Sequence, residues 1–206
     1  MQNTKLITLL ITFPKKEFSR FIDFVNSPYF NTNLNLIKLL RELDKYYPAF
    51  DTEKLTEEKV YKNIFKNEKY DYFKMKNLIS DLYELAIEFL KINAAENNDI
   101  QNEISLLNIL HERKLDVIYS QREKKIKTSL YNAQIKDEDN YLLQYQLERI
   151  NIAHYKFSGS SYSFEGIQSE FNSFLQYALT GLMRLYSKML HNKNHGNIRF
   201  DMKMFP

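Results

Sequence analysis

The amino-acid sequence contains no cysteine and no tryptophan, and among its 206 residues there are only four glycines and four prolines. Without cysteine the chain forms neither disulfide bonds nor thiolate metal sites, and nothing in it requires an oxidising compartment. The four glycines all stand in the last quarter of the sequence, at Gly159, Gly166, Gly181 and Gly196. The preceding part therefore lacks the glycine that phosphate-binding loops and two-residue hairpin turns need. This excludes a P-loop or dinucleotide fingerprint there and indicates few strands.

Long hydrophobic runs and an excess of one charge are also missing. Lysine and arginine number 29 against 26 aspartate and glutamate residues, and the two signs are interleaved along the chain. This balance is weak support for a polyanionic partner. The apolar segment 5–13 is too short to span a bilayer, which takes about 20 helical residues, and Pro14, Lys15 and Lys16 stand where a signal-peptide cleavage site would be. We therefore expect a cytoplasmic protein with no membrane partner.

Apolar residues between Tyr70 and Ile92 recur at alternating three- and four-residue steps, which is the period of one face of an α-helix. The central stripe consists of Met75, Leu78, Leu82, Leu85, Phe89 and Ile92. Further apolar residues widen this stripe to more than half of the circumference, so neighbouring helices must cover it. We predict that this helix organises an all-α protein of about seven or eight helices.

Periodicity and turn signals also predict the domain organisation. Residues 1–95 are predicted to form an N-terminal helical bundle, and residues 96–191 to form long antiparallel helical hairpins. Within the bundle Thr56 is a predicted N-cap, since its hydroxyl can accept a hydrogen bond from the first turn of a helix. Residues 192–206 form an apolar tail with the period-two alternation of an extended segment. We expect this tail either to continue into a longer protein or to dock on a partner.

The stretch 99–135 has two interpretations at this level. A single helix of this length would suit a strut or a coiled arm. Alternatively, the residues from Ser120 to Glu123 match a capping box, which indicates that a new helix, or at least a kink, begins at Ser120.

Two short motifs in the first ninety residues resemble a group of uncharacterised bacterial helical proteins. The motifs are Phe24-Val25-Asn26-Ser27-Pro28-Tyr29-Phe30-Asn31 and Leu78-Ile79-Ser80-Asp81-Leu82. The resemblance covers less than half of the chain and implies an all-helical architecture of irregular, TPR-like hairpins. It implies no activity, cofactor or substrate.

The histidines and carboxylates show no clear catalytic or metal-binding pattern. His191 and His195 have the i, i+4 spacing of two metal ligands on one helix face, but neither an HExxH motif nor a nearby third ligand accompanies them. His111 and His154 lie among leucines and isoleucines, as satisfied and partly buried histidines usually do. The glutamates, including Glu148, mostly fit solvated faces. We therefore expect no enzyme, metal site, cofactor or small-molecule substrate.

Residues 56–90 offer an alternative function, because a short helix, a turn and a longer helix is the order of a helix-turn-helix DNA-binding element. The residues that would face DNA near the start of the second helix are Lys66, Lys69, Lys74, Lys76 and Asn77. Acidic residues follow on the same helix and the turn is loose, so DNA binding ranks second.

The broadly apolar last helix and the apolar tail favour a different function, a non-enzymatic scaffold for protein–protein interaction. The residues expected to form the docking site are Phe171, Phe174, Leu182, Tyr186, Phe200 and Phe205. The partner would be another protein or a second copy of the chain. Partner identity and oligomeric state are open at this level.

Overall fold

The computed structural model describes residue 1 and residues 4–50, 55–66, 68–96, 99–134, 136–157 and 164–196. Within these ranges the chain forms nine α-helices, rather than the seven or eight predicted, and no strand, so the predicted all-α fold is confirmed although the helix count was too low. The helices are α1 (Lys5–Leu10), α2 (Lys15–Asn26), α3 (Leu34–Asp44), α4 (Glu57–Ile64), α5 (Tyr72–Glu96), α6 (Asp99–Glu112), α7 (Asp116–Tyr131), α8 (Glu138–Phe157) and α9 (Phe164–Gly196). None of these helices combines the length and the apolar character that crossing a membrane requires.

The chain divides into two compact units, Met1–Asn97 with α1 to α5 and Asn98–Pro206 with α6 to α9. In the first unit, two helices have a threonine hydroxyl as their N-cap. Thr4 Oγ1 accepts the N–H of Ile7 at 3.4 Å, and Thr56 Oγ1 accepts the N–H of Lys59 at 3.3 Å. These bonds satisfy first-turn N–H groups that have no partner within the helix. The predicted N-cap at Thr56 is confirmed.

Helix α5 forms the centre of the first unit, where it packs on α1, α2 and α3. Met75, Leu82 and Ala86 of this helix are fully buried. Farther along, the ring of Phe89 lies 5.4 to 5.9 Å from the rings of Phe13, Phe21 and Phe24. Aromatic side chains bury large apolar areas and gain from tilted ring contacts, so this cluster closes one end of the core.

In the second unit, the contacts between α7 and α8 and between α8 and α9 show that these helices run antiparallel. Asn140 early in α8 bonds to Leu130 O late in α7, and Glu138 at the start of α8 pairs with Arg184 late in α9. Arg122 pairs with Glu103 between α7 and α6, while the ring of Tyr145 in α8 lies 5.2 Å from that of Phe174 in α9. Between α7 and α8, Tyr119 Oη donates to Asn151 Oδ1 at 2.9 Å. The apolar core of this unit lies among α6, α7 and α8, with Leu107, Leu130 and Leu147 fully buried.

The break between α6 and α7 differs from both interpretations of the stretch 99–135. Ser120 lies inside α7, so the capping-box interpretation is wrong, and the chain turns at 113–115 instead. Lys114 adopts φ 56°, and its N–H reaches His111 O at 3.0 Å, while the N–H of Leu115 reaches Leu110 O at 3.0 Å. These two bonds form a Schellman motif, which normally uses glycine at the left-handed position. The sequence signal is weak because lysine occupies that position.

The end of α9 also differs from expectation, because the helix continues through Gly196 rather than ending near His191. The remaining part of the predicted apolar tail, residues 197–206, lies outside the described residues. The same is true of the Gly/Ser-rich connection 158–163.

Candidate functional site

Helix α9 packs on α8 through its small and polar residues. Ser173 is buried, and Gly166, Tyr177 and Gly181 on the same side of the helix are half-buried. An added Cβ at Gly181 would lie 3.1 Å from Glu138 Oε1, so the missing side chain gives the Glu138 carboxylate room against α9.

Two sets of polar contacts fix this packing. Glu138 of α8 forms a bidentate ion pair with Arg184 of α9. Nearer the start of α9, the hydroxyls of Ser169 and Ser173 lie close to the phenol of Tyr131 in α7, where they oppose the rise in the pKa of Tyr131 that its burial causes. The side of α9 that faces the unit is therefore held by small residues and polar bonds rather than by an apolar stripe.

The apolar residues of α9 lie on the opposite side of the helix. At about 100° per residue, Phe171 and Leu182 lie roughly 160° and 180° around the helix from Ser173. Phe171 is 57 % exposed and Leu182 is 44 % exposed. We call this side the outward face of α9, and it consists of Ile167, Phe171, Phe174, Leu175, Leu179, Leu182, Leu185 and Tyr186.

The outward face includes four of the six residues predicted for docking, namely Phe171, Phe174, Leu182 and Tyr186. Phe174 lies at its edge, where its ring also contacts Tyr145. The other two predicted residues, Phe200 and Phe205, lie outside the described residues. No charged residue occurs from 171 to 183, so the middle of the face is an apolar surface uninterrupted by charge.

The residues predicted to contact DNA are mostly exposed near the start of α5. Lys66, Lys69, Lys76 and Asn77 are all exposed. Lys74 differs, because its Nζ lies 2.6 Å from Glu68 Oε2 and 3.9 Å from the centre of the Phe65 ring. The hydrogen bond to Glu68 raises the pKa of Lys74, so this cation is already paired within the unit.

The connection between α4 and α5 spans residues 65–71, which is longer than the three- or four-residue turn of a helix-turn-helix element. In addition, α4 packs on α3, whereas α5 packs on α1, α2 and α3. The order of α4 and α5 fits a helix-turn-helix element, but the long connection and the packing of the two helices do not. The structure therefore gives less support to DNA binding than the sequence does.

The second unit contains a buried ionic cluster that the sequence patterns do not reveal. Glu148 is 3 % exposed and Glu123 is 8 % exposed, so the expectation that Glu148 lies on a solvated face is wrong. Lys127 Nζ lies 3.3 Å from Glu148 Oε1 and 3.3 Å from Glu123 Oε1. Tyr131 Oη donates to Glu148 Oε1 at 2.8 Å, and Tyr155 Oη donates to Glu123 Oε2 at 2.6 Å. We call these five residues the ionic cluster.

The electrostatics of the ionic cluster favour a structural role. Burial alone would lower the pKa of Lys127, but the charges of Glu148 and Glu123 raise it above its ordinary value. Burial and the hydrogen bond to Glu123 raise the pKa of Tyr155 to about 12. The lysine and this phenol therefore keep their protons at neutral pH, and they act as fixed donors to the carboxylates. The only signal in the sequence is the i, i+4 spacing of Glu123 and Lys127, which is common on exposed helices.

The histidines form two separate pairs. His111 Nδ1 and His154 Nδ1 lie 3.1 Å apart, and the ring of His154 stacks on Tyr119 at a centroid distance of 3.6 Å. The rings of His191 and His195 in α9 lie 4.7 Å apart. Over the part of the chain that the structure describes, no group of three or more histidine, aspartate or glutamate side chains is arranged to hold a metal ion.

Comparisons of the chain with known protein families, with curated proteins and with solved structures find no significant match. The resemblance to bacterial helical proteins therefore stays a prediction from two short motifs. Inference about function rests on the outward face of α9 and on the charges around it.

Proposed function

We propose that this protein is a non-enzymatic helical scaffold that binds another protein through the outward face of α9. One observation carries the proposal: α9 packs small and polar residues against α8 and turns its apolar residues away from it. An amphipathic helix of a globular unit normally has the opposite orientation. Full burial of an exposed large apolar side chain is worth about 1.5–3 kcal/mol. Because the side chains of this face are already about half covered, each contributes roughly half of that value when a partner covers it.

The composition of the outward face suits a helix that docks against another helix or into a groove. Ile167, Phe171 and Leu175 follow one another at i, i+4 steps, and Leu182 and Tyr186 continue the stripe about two and three turns farther on. Such spacing is how amphipathic helices present anchor residues to a partner. Buried aromatic side chains at the centre of an interface commonly contribute most of the binding energy.

The proposal is tested by capture with two matched variants. The tagged wild-type protein, the variant Phe171→Glu/Leu182→Glu and the control Val117→Glu are each incubated with lysate of the native host after nuclease treatment. Val117 is a suitable control because it is also apolar and 74 % exposed, but it lies on α7. Quantitative mass spectrometry then measures each retained protein against the wild type.

We expect the control to retain the same proteins as the wild type and the α9 variant to lose at least one of them about tenfold or more. The two introduced carboxylates would lose their water when the apolar interface forms. This desolvation cost accounts for the size of the expected loss in retention. Equal retention by all three proteins would contradict the proposal. In a parallel capture without nuclease, nucleic acid retained at low salt and lost when Lys69 and Lys76 are changed would favour the DNA-binding alternative.

A further inference from the structure

The charged residues of α9 are segregated along its length. The acidic residues Glu165 and Glu170 lie in the first part of the helix, and the basic residues Arg184, Lys188 and Lys193 all follow Leu182. The outward face occupies the uncharged stretch between the two groups and extends to both sides of it. A surface with this pattern is complementary to itself when one copy is reversed.

We infer that the outward face of α9 binds the same face of a second copy of this chain, with the two α9 helices antiparallel and the two-fold axis at Leu179. The inference rests on the proposed function and names its partner. In this register, two residues lie opposite each other when they are equally far from Leu179 along the sequence. Glu165 therefore lies opposite Lys193 of the second copy, and Glu170 lies opposite Lys188. Two-fold symmetry repeats both pairs, so the dimer contains four of them.

Three physical features favour the antiparallel register over a parallel one. A parallel pair would place the acidic ends side by side and the basic ends side by side, which is repulsive. The helix macrodipoles also attract each other only when the helices are antiparallel. Furthermore, rotation about Leu179 places Phe171 level with the gap between Tyr186 and Met189 of the second copy, so the apolar layers interleave rather than collide.

The length of the face is sufficient for a stable dimer. Helix α9 has 33 residues and is therefore about 50 Å long. Its exposed apolar residues extend from Phe164 to Leu190 over most of this length. An interface along the whole helix falls in the range of specific protein–protein contacts rather than in the range of weak, transient ones.

Charge reversal combined with mixing tests the register. One variant carries Glu165→Lys and Glu170→Lys, and the other carries Lys188→Glu and Lys193→Glu. Each variant alone converts all four opposite-charge pairs into like-charge pairs, whereas an equimolar mixture can form a heterodimer in which all four pairs are attractive again. The control variant, Lys124→Glu/Lys125→Glu, makes the same kind of change on exposed residues of α7. Sedimentation velocity measures the association of each sample at low and high salt.

The wild type and the α7 control are expected to sediment as dimers. At low salt, the dimer of each α9 variant alone should have a dissociation constant about tenfold or more above that of the wild type. The mixture should recover a one-to-one dimer with the dissociation constant of the wild type. High salt should reduce these differences, because Glu165, Lys188 and Lys193 are exposed and Glu170 is only half-buried. Circular dichroism checks that every variant retains its helices.

Two results would overturn the inference. The first is a wild type that stays monomeric up to about 100 µM, a concentration at which a dimer of even modest affinity assembles. The second is a dimer whose strength does not respond to the α9 charges or does not return on mixing. Either result leaves the proposed function standing if Phe171→Glu/Leu182→Glu still abolishes the capture of a different protein, so the two failures are distinguishable.

Discussion

His154 is a titratable side chain held in the interior of the second unit, with 2 % exposure. Its ring stacks on Tyr119, its Nδ1 faces that of His111, and its Nε2 lies 3.7 Å from Asp116 Oδ1. Burial lowers the pKa of His154, the charge of Asp116 opposes this shift, and His111 adds to it. The fold therefore favours the neutral imidazole, in which one Nδ1 of the histidine pair donates to the other.

The depressed pKa predicts that acid destabilises the second unit through His154. Because the pKa in the folded state lies below the unfolded value of 6.5, this contribution to stability is complete above pH 6.5 and is lost as the pH falls through the folded-state pKa. The variant His154→Gln should show a smaller loss of unfolding free energy between pH 7.5 and 5 than the wild type. Urea unfolding at several pH values measures this difference. Identical pH dependence in the two proteins would contradict the account.

Lys127 is the cation on which both buried carboxylates of the ionic cluster depend. Removing it leaves Glu148, which is 3 % exposed, with an uncompensated charge that the Tyr131 hydroxyl, donating to Glu148 Oε1 at 2.8 Å, does not neutralise. We predict that Lys127→Met lowers the unfolding free energy by about 2–3 kcal/mol, below the full cost of a buried pair because the lysine is half-exposed.

The matched control at this site is Glu148→Gln in the Lys127→Met background. This change removes the unpaired charge while keeping the shape of the side chain, so it should recover part of the lost stability. Chemical unfolding at pH 7 measures the free energy of unfolding of the wild type, of Lys127→Met, of Glu148→Gln and of the double variant, which together form a double-mutant cycle. If Lys127→Met left the free energy of unfolding unchanged, the ionic cluster would contribute nothing to the stability of the fold.

At the scale of elements, the Schellman turn between α6 and α7 has an unusual residue at its left-handed position. Lys114 adopts φ 56°, a conformation that costs a residue with a Cβ about 1 kcal/mol more than it costs glycine. We predict that Lys114→Gly raises the unfolding free energy by about 0.5–1 kcal/mol. The control Lys124→Gly lies in the middle of α7, where glycine should instead lower it by about 1 kcal/mol.

Thermal or chemical unfolding of these two variants measures the opposite signs directly. A loss of stability in Lys114→Gly as large as that in Lys124→Gly would mean that the side chain of Lys114 contributes more than its backbone conformation costs.

The ends of the helices show what sequence patterns reveal and what they miss. Thr56 was identified as an N-cap because a hydroxyl before an apolar period is a strong local signal. The helix end at Lys114 is not visible in the sequence. Its usual signal is a glycine, and the backbone hydrogen bonds that define it depend on no particular side chain. The capping-box pattern at Ser120 misled because such patterns also occur by chance inside helices.

At the scale of the whole molecule, amphipathic period and composition predicted the all-α fold because they report directly on burial. The stripe of α5 is an example, with Met75 and Leu82 fully buried. The ionic cluster could not be predicted, because Glu123 and Glu148 meet only when α7 packs on α8, and charged residues on a helix usually face solvent. The outward face of α9 was partly predictable, since an apolar stripe is visible in the sequence but the side that packs on α8 is not.

The central claim is that the outward face of α9 contacts another protein chain. A photo-reactive benzoylphenylalanine placed at Leu182 tests it most directly, with the same probe at Val117 as the control, because both side chains are exposed and apolar. We expect an intermolecular cross-link from position 182 and little or none from position 117, with a product of twice the mass of the chain if the partner is a second copy. Equal cross-linking from the two positions, or none from position 182, would contradict the claim.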